Sequence, residues 1–470
     1  MSRRVDSAHP STSTTTAVGS SAERSTWWNR LPIAAAIVLL ILLPLLFVSR
    51  GEKSEWNDCF VTAARHLAAR EPIHSQGETY AYPPSMAFLS VGIGNLPLSW
   101  SLWTWGLVNV AATVLTFVGS WRLIGGPSLG QLDRRWAAVL ALSLLLAVRW
   151  IVSPLEHQQF DMVIAACIVW GCVGIVARRE VAGGLLLGVA ASMKCTPLLF
   201  APYLAWRGRW RAAVMVGVGA IALNIAPDLL LPKHAGGSYL VDWHRVFIAG
   251  VSDSAPGTWH SDITLNQSLG GLFNRLVRVG VPLELTNVEA VPLSADAARG
   301  IKYLTHCTGL LLLAATVLVG GRPLRTPAAD DQPGKRDWLW AVEFSAIVSL
   351  MLLLSPMSSK AHYVVLWLPS LVIARQVLER PTTARYAVVA LLAVTGTLTT
   401  KGLLGKSLGD LTLLWGLPTW HAIITLVALW EIHHAAQYEN RVAPLTSEPA
   451  PARIIAKSQQ RDRPQKANRK

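Results

Sequence analysis

Long apolar segments alternate with short polar connectors along most of the chain. A helix needs about 20 apolar residues to cross the ~30 Å hydrocarbon core of a bilayer, and several of these segments approach or reach that length. The pattern predicts an all-α, polytopic transmembrane protein with about 10–13 membrane segments. The apolar segments lie at residues 31–49, 84–98, 102–121, 136–152, 162–177, 182–205, 212–231, 303–320, 338–354, 363–379, 385–400 and 411–432.

The overall composition agrees with this pattern. Of 470 residues, 52% are hydrophobic and only 15% are charged, which is too apolar for a soluble globule of this length. Residues 27–432 are therefore predicted to form one transmembrane domain. The ends at 1–26 and 433–470 lack an apolar period and are predicted to be disordered and cytoplasmic, with His433 and His434 solvated.

Basic residues outnumber acidic ones, with 42 Lys and Arg against 28 Asp and Glu, mostly in connectors and the C-terminal tail. Cationic connectors orient membrane helices and attract anionic headgroups, so we predict membrane lipid as a partner and exclude nucleic acid. The five cysteines form no CxxC pair and imply neither a disulfide framework nor a zinc site. No metal-ligand cluster is visible in the sequence, so no metal or cofactor is predicted.

The positive-inside rule orients the chain. Arginine-rich connectors, for example at Arg178–Arg179 and Arg207–Arg211, are assigned to the cytoplasm. The segment 31–49 has no small-residue cleavage site after it and is predicted to stay as a signal anchor of the inner membrane. The connectors that then face the periplasmic side are 50–83, 153–161, 232–302, 355–362 and 401–410.

Two places break simple alternation of membrane spans. The stretch from Arg179 to Arg207 starts and ends in the cytoplasm, yet it is too short to cross ~30 Å twice at about 1.5 Å per residue. It is predicted to be a re-entrant hairpin that is broken at Lys194–Pro197, because Pro interrupts a helix. The segments 84–98 and 102–121 cannot both be full spans if Asp58 is outside and Arg122 is inside, so one of them is predicted to be short, re-entrant or interfacial.

The outward connector 50–83 contains a predicted amphipathic helix from Trp56 to Glu71. At about 100° per residue, Trp56, Phe60 and Leu67 share one side and Asp58 lies on the other. Two interpretations of Asp58 remain open from these residues: an N-cap of the helix, or a general base above a membrane site.

The 20 tryptophans cluster at the ends of apolar segments, as at Trp100, Trp105, Trp210 and Trp340. Trp is enriched at both membrane–water interfaces. We therefore interpret these clusters as an interfacial belt and not as a site for stacking a ligand.

Other polar residues lie at the predicted outer membrane edge or at membrane depth. Lys194 is the most informative, because an intramembrane cation is costly unless it is paired, reaches a polar cavity or snorkels to the interface. Each remaining candidate also fits a plain turn, loop or interfacial role. These candidates are Tyr82, Gln159, Asp161, Asn266, Ser268, Arg275, Lys360 and His362.

One carboxylate and several cations on the same outer surface suggest a particular chemistry. A sugar carried on a lipid phosphate already has a good leaving group, so its transfer needs a base for the acceptor hydroxyl and cations for the phosphate. A glycosidase instead needs paired carboxylates, and the acidic doublet Asp330–Asp331 is on the predicted cytoplasmic side.

The order of these motifs resembles glycosyltransferase family 87 of the GT-C superfamily. The resemblance covers roughly residues 31–432. It rests on Asp58 after the first span, Tyr82-Pro83-Pro84, a Gln-x-Asp loop at Gln159–Asp161, the Gly-rich hairpin ending in Lys194-Cys-Thr-Pro197, Asn266-Gln-Ser268 and a Ser355-Pro turn that leads to His362. Gln158 stands where the family usually has Gly, and Ser359, Ala361 and His362 stand where it usually has Trp and a pair of His residues.

The resemblance implies a GT-C fold and an inverting transfer of a hexose, mannose, from a polyprenyl-phosphate donor to a lipid or glycan acceptor. By carry-over, Asp58 would be the base, and Lys194, His362 and Lys360 would bind the donor phosphate. Tyr82, Gln159, Asp161, Asn266, Ser268 and Arg275 would bind sugar or acceptor. Two other classes compete with this hypothesis: a transporter or flippase of polyprenyl-linked sugars, and an inactive binding protein.

Overall fold

The computed structural model describes residues 54–74, 80–249, 264–278, 294–321 and 333–446. Across these ranges the chain is helical and contains no β-strand, which confirms the all-α prediction. Several predictions concern residues outside these ranges: the disordered N-terminus at 1–26, the signal anchor at 31–49, the acidic doublet Asp330–Asp331, and the tail beyond 446.

The helices pack around one extended apolar core. In the described part of the chain, six stretches are long and apolar enough to cross a bilayer: Leu98–Leu123, Arg134–His157, Trp210–Leu230, Ala295–Gly320, Asp337–Leu354 and Lys360–Glu379. The chain is therefore an integral membrane protein.

In chain order, the α-helices are α1 (Thr62–Ala68), α2 (Pro84–Gly94), α3 (Leu98–Leu123), α4 (Arg134–His157), α5 (Asp161–Val176), α6 (Glu180–Met193), α7 (Phe200–Trp206), α8 (Trp210–Leu230), α9 (Tyr239–Trp243), α10 (Leu269–Arg278), α11 (Ala295–Gly320), α12 (Pro333–Leu354), α13 (Trp367–Glu379), α14 (Thr383–Thr397), α15 (Lys401–Leu414) and α16 (Leu417–Thr446).

The two exceptions in the predicted topology correspond to short or broken helices. α2 has only 11 residues and is ~16 Å long, too short for a ~30 Å core, whereas α3 has 26 residues. α6 ends at Met193, and Lys194 has extended backbone dihedrals (φ −151°, ψ 121°). Pro197 then lies in the 3₁₀ turn Thr196–Leu199 before α7 begins. The predicted helix break between Lys194 and Pro197 is confirmed.

Residues 401–410, which were predicted to form an outward connector, are helical. They belong to α15, which meets α14 at an angle of 89° and is kinked at Gly405 (φ 76°). Charged residues lie along α15, and Lys401 Nζ forms a 2.5 Å ion pair with Asp410 Oδ1. Hydropathy alone therefore does not identify this helix. Likewise, α16 continues past the predicted end of the membrane domain at 432 to Thr446.

A buried ionic network joins α7, α12 and α16. The Glu343 carboxylate accepts hydrogen bonds from the Tyr203 hydroxyl at 2.6 Å, from Arg207 Nη2 at 2.7 Å and from His433 Nε2 at 3.0 Å. His433 was expected to be solvated, and that expectation is wrong because its partner comes from a different helix. The neighbouring His434 is exposed, as predicted.

α6 packs against α8 with the two backbones almost in contact. A Cβ atom added to Gly188 would lie 2.7 Å from the carbonyl oxygen of Val216, and one added to Gly184 would lie 2.5 Å from that of Ala212. Small residues four positions apart allow such close approach between membrane helices. This packing holds the end of α6, and therefore Lys194, against α8.

We expect Gly188→Leu to destabilise the protein by at least ~1–3 kcal/mol, because the new side chain has backbone atoms in its way. Gly217→Leu in α8 is a matched control, since a Cβ atom there meets no atom within 4 Å. Both changes raise helix propensity by a similar amount, so propensity cancels in the comparison. Thermal unfolding of the two purified variants measures the effect, and equal midpoints would contradict the packing argument.

Four tryptophans of the described residues differ sharply in burial. Trp100 and Trp210 are 68% and 66% exposed on the helix bundle, as an interfacial belt requires. Trp105 and Trp340 are only 2% exposed and pack in the core, so the belt interpretation is wrong for them. Trp105 stacks on Trp56 with 4.2 Å between ring centroids, and this pair supports the segment that carries Asp58.

Candidate active site

A cavity of about 470 Å³ lies where four of the predicted outward connectors meet. Lys194 reaches the same cavity from the break that follows α6. Parts of the chain that are far apart in sequence therefore share one chamber. Its wall includes Glu55, Asp58, Tyr82, Gln159, Lys194, Trp243, Ser359 and His362.

Asp58 lies in the π-helical turn Trp56–Val61 that leads into α1. Trp56 and Phe60 are fully buried on one side of this turn, and Asp58 is exposed on the other, as the amphipathic pattern predicted. The N-cap position is occupied by Glu55, so the N-cap interpretation of Asp58 is wrong. The only side-chain contact of the Asp58 carboxylate within the described residues is a 3.4 Å hydrogen bond from Asn57 Nδ2. The carboxylate is therefore available to a molecule in the cavity.

Lys194 is paired with an acidic side chain inside the protein. Its Nζ lies 2.6 Å from Asp161 Oδ1, and the two side chains are 16% and 6% exposed. The ammonium also lies 5.8 Å from the centroid of the Tyr82 ring. Asp161 thus orients the cation, and Lys194 retains N–H donors that can bind an anion in the cavity.

His362 is fixed by the turn that precedes the 3₁₀ segment Lys360–Leu366. Ser359 and His362 form a capping box, in which the Ser359 backbone N–H donates to His362 Nδ1 at 3.1 Å. Because Nδ1 accepts this hydrogen bond, the neutral ring carries its proton on Nε2. His362 therefore lines the cavity as a hydrogen-bond donor.

Asn266, Ser268 and Arg275 were expected to bind sugar or acceptor, but the structure places them behind the cavity wall. All three are fully buried. Asn266 Nδ2 donates to the Pro356 carbonyl at 2.8 Å, and Arg275 Nε donates to the Leu414 carbonyl at 2.9 Å. The Ser268 backbone N–H donates to Asn266 Oδ1 at 3.1 Å. Asn266 thus braces the turn that carries His362, and Arg275 anchors the same segment to the end of α15.

Lys360 is also separated from the other candidates. It is half-buried and does not line the cavity, although His362 lies only two positions further along the chain. The charged groups that act on Lys360 are those of Arg149, Lys401, Glu156 and Asp410. The structure therefore groups Lys194 with His362, and not with Lys360.

Two residues of the wall were missed by the sequence analysis. Glu55 accepts a short hydrogen bond from Gln159 Nε2, and burial raises the pKa of its carboxyl group while the bond from Gln159 opposes that rise. Glu55 lies three residues before Asp58 on the same helical turn, and this spacing could have identified it from the sequence. Trp243 also lines the cavity, with its ring nitrogen bonded to the Ala81 carbonyl at 3.1 Å. No feature of the local sequence pointed to Trp243.

Residues 80–356, more than half of the chain, match the profile of glycosyltransferase family 87. The chain belongs to this family. The resemblance read from the motifs is therefore confirmed.

A named relative of this family 87 protein is the "Polyprenol-phosphate-mannose-dependent alpha-(1-2)-phosphatidylinositol pentamannoside mannosyltransferase" of Mycobacterium tuberculosis (strain CDC 1551 / Oshkosh). The two sequences are 25% identical over 294 residues, which cover 63% of this chain and 57% of the relative. Tyr82, Gln159, Asp161 and Lys194 lie within the region that matches the family, whereas Asp58 precedes it and His362 follows it.

Proposed function

We propose that this family 87 enzyme transfers a hexose, mannose, from a polyprenyl phosphate to a hydroxyl group of a lipid or glycan acceptor on the extracytoplasmic side of the inner membrane. One observation carries the proposal: an exposed carboxylate, Asp58, and two phosphate-binding candidates, Lys194 and His362, line one cavity. The printed name of the mannosyltransferase relative supports the choice of donor.

The proposed reaction is a single displacement. The acceptor oxygen attacks the anomeric carbon and loses its proton to Asp58, while the bond between that carbon and the phosphate oxygen breaks. Attack opposite to the phosphate inverts the anomeric configuration. Negative charge increases on the departing phosphate, and the Lys194 ammonium with the Nε2–H of His362 stabilises it. The products are the glycosylated acceptor and a polyprenyl phosphate.

A transport protein for lipid-linked sugars would also place cations near a phosphate. The polar residues of the wall argue against a transporter, because they come mainly from connectors assigned to one side of the membrane. The deciding experiment uses the purified full chain in detergent, where no membrane separates two sides. Appearance of labelled mannose from polyprenyl-phosphate-mannose on a mixed lipid acceptor supports an enzyme, and unchanged donor after long incubation contradicts it.

The proposed side of the membrane has its own test. Cysteines introduced at His157, Thr264 and Ser359 into a cysteine-free chain should react with an impermeant maleimide added to intact cells, because all three connectors converge at the cavity. A cysteine at Arg211, in a connector assigned to the cytoplasm, should react only after permeabilisation. If the cysteines at 157, 264 and 359 react only from the cytoplasmic side, an extracytoplasmic site is contradicted.

A further inference from the structure

The roles proposed for Asp58, Lys194 and His362 leave the carboxyl group of Glu55 in the cavity wall unexplained. Glu55 lies one helical turn before Asp58, and one of its carboxylate oxygens, Oε2, accepts the hydrogen bond from Gln159 Nε2. Within the described residues, its other oxygen, Oε1, has no hydrogen-bond donor. Glu55 therefore presents an acceptor atom to the cavity.

Gln159 is held so that it orients this carboxylate. The preceding residue, Gln158, has a left-handed backbone (φ 55°), and its carbonyl accepts a 2.8 Å hydrogen bond from Trp105 Nε1. Gln159 itself is 6% exposed. Its Oε1 is buried without a hydrogen-bond partner among the described residues. In its side chain, the Nε2 amide group is therefore the part that is hydrogen-bonded, and its partner is Glu55.

The charge of Glu55 restricts what it can bind. A carboxylate repels the donor phosphate, which Lys194 and His362 would hold, so Glu55 is not expected to be a ligand of the phosphate. The uncharged polar part of the donor is the hexose, whose hydroxyl groups donate strong hydrogen bonds to a carboxylate. Tyr82 and Trp243 line the same cavity and add aromatic surface.

We infer that Glu55, oriented by Gln159, recognises the hydroxyl groups of the transferred hexose, and that Gln159 is a positioning residue. This inference rests on the proposed transfer from a polyprenyl phosphate. It assigns three neighbouring functions to one cavity: Asp58 to the acceptor hydroxyl, Lys194 and His362 to the phosphate, and Glu55 to the sugar ring.

The test compares two ligands without acceptor: a polyprenyl phosphate and the same lipid carrying mannose. The purified wild-type chain should bind the mannosyl lipid more tightly. Glu55→Gln should weaken binding of the mannosyl lipid about 10-fold or more, since hydrogen bonds to a charged group are lost, and should leave binding of the plain phosphate unchanged. Gln159→Met, which cannot donate to Glu55, should act in the same direction with a smaller effect.

Equal weakening of both ligands, or unchanged binding with slower transfer, would overturn the inference. If the wild-type chain transfers mannose but binds the two lipids equally, the inference fails and the proposed function stands. If it binds neither lipid and transfers nothing, the proposed function fails.

Donors with single deoxymannosyl groups, bound to the wild-type chain, make the test independent of variant folding. At least one should bind about 10-fold more weakly, and parent-like binding of all of them overturns the inference.

Discussion

Asp58→Asn is expected to lower turnover by ~10²-fold or more while binding of the polyprenyl-phosphate donor is retained. Asn keeps the size and part of the hydrogen bonding of Asp, but it cannot accept the proton of the acceptor hydroxyl. The effect should appear in kcat, because Asp58 accepts the proton of the acceptor hydroxyl only in the transition state. Initial rates of mannose transfer at several donor concentrations, together with direct donor binding, measure it.

Glu71→Gln is a suitable control for the Asp58 variant. Glu71 is a 56% exposed carboxylate shortly after the same helical segment, and it does not line the cavity. Removing its charge should leave transfer close to the wild-type rate. Because Asp58 is not the N-cap, its change to Asn should also leave the unfolding midpoint nearly unchanged. Near-normal transfer by a folded Asp58→Asn chain would remove the centre of the proposed mechanism.

Lys194→Met is expected to reduce both the stability of the protein and its affinity for the donor. The change leaves the Asp161 carboxylate, whose side chain is 6% exposed, without its ionic partner. Breaking a buried ion pair in this way costs ~3–5 kcal/mol. The variant also loses the ammonium that would neutralise the donor phosphate, so donor binding and transfer should fall together.

A double variant separates these two effects of Lys194. Lys194→Met combined with Asp161→Leu removes both charges, so stability should return close to that of the wild type. Donor binding should stay weak, because no cation replaces Lys194. Thermal unfolding and titration with a polyprenyl phosphate report the two quantities independently. If the double variant regains donor affinity, Lys194 has only a structural role and the phosphate assignment is wrong.

Several features were predictable because their cause is local in the sequence. α3 and α4 are recognised by continuous apolar length, which the bilayer itself requires. The break at Lys194 was predictable because Pro197 interrupts a helix. The stretch that contains it has positive charge at both ends and is too short to cross the membrane twice. The exposure of Asp58 follows from helical periodicity, because Trp56 and Phe60 lie buried on the opposite side of the helix. α15 was missed because it is helical without being a continuous apolar segment.

The sequence by itself therefore determined the all-α membrane architecture, the helix break and the family, since length, hydropathy and motif order are properties of neighbouring residues. Only the tertiary structure decided which polar residues face the cavity. Glu55 and Gln159 are 104 positions apart, and Lys194 and Asp161 are 33 apart. Asn266 matches a family motif, yet it braces a turn from behind the wall. A local pattern reports contacts within a turn or two of the chain, whereas the role of a buried polar group depends on partners from other helices.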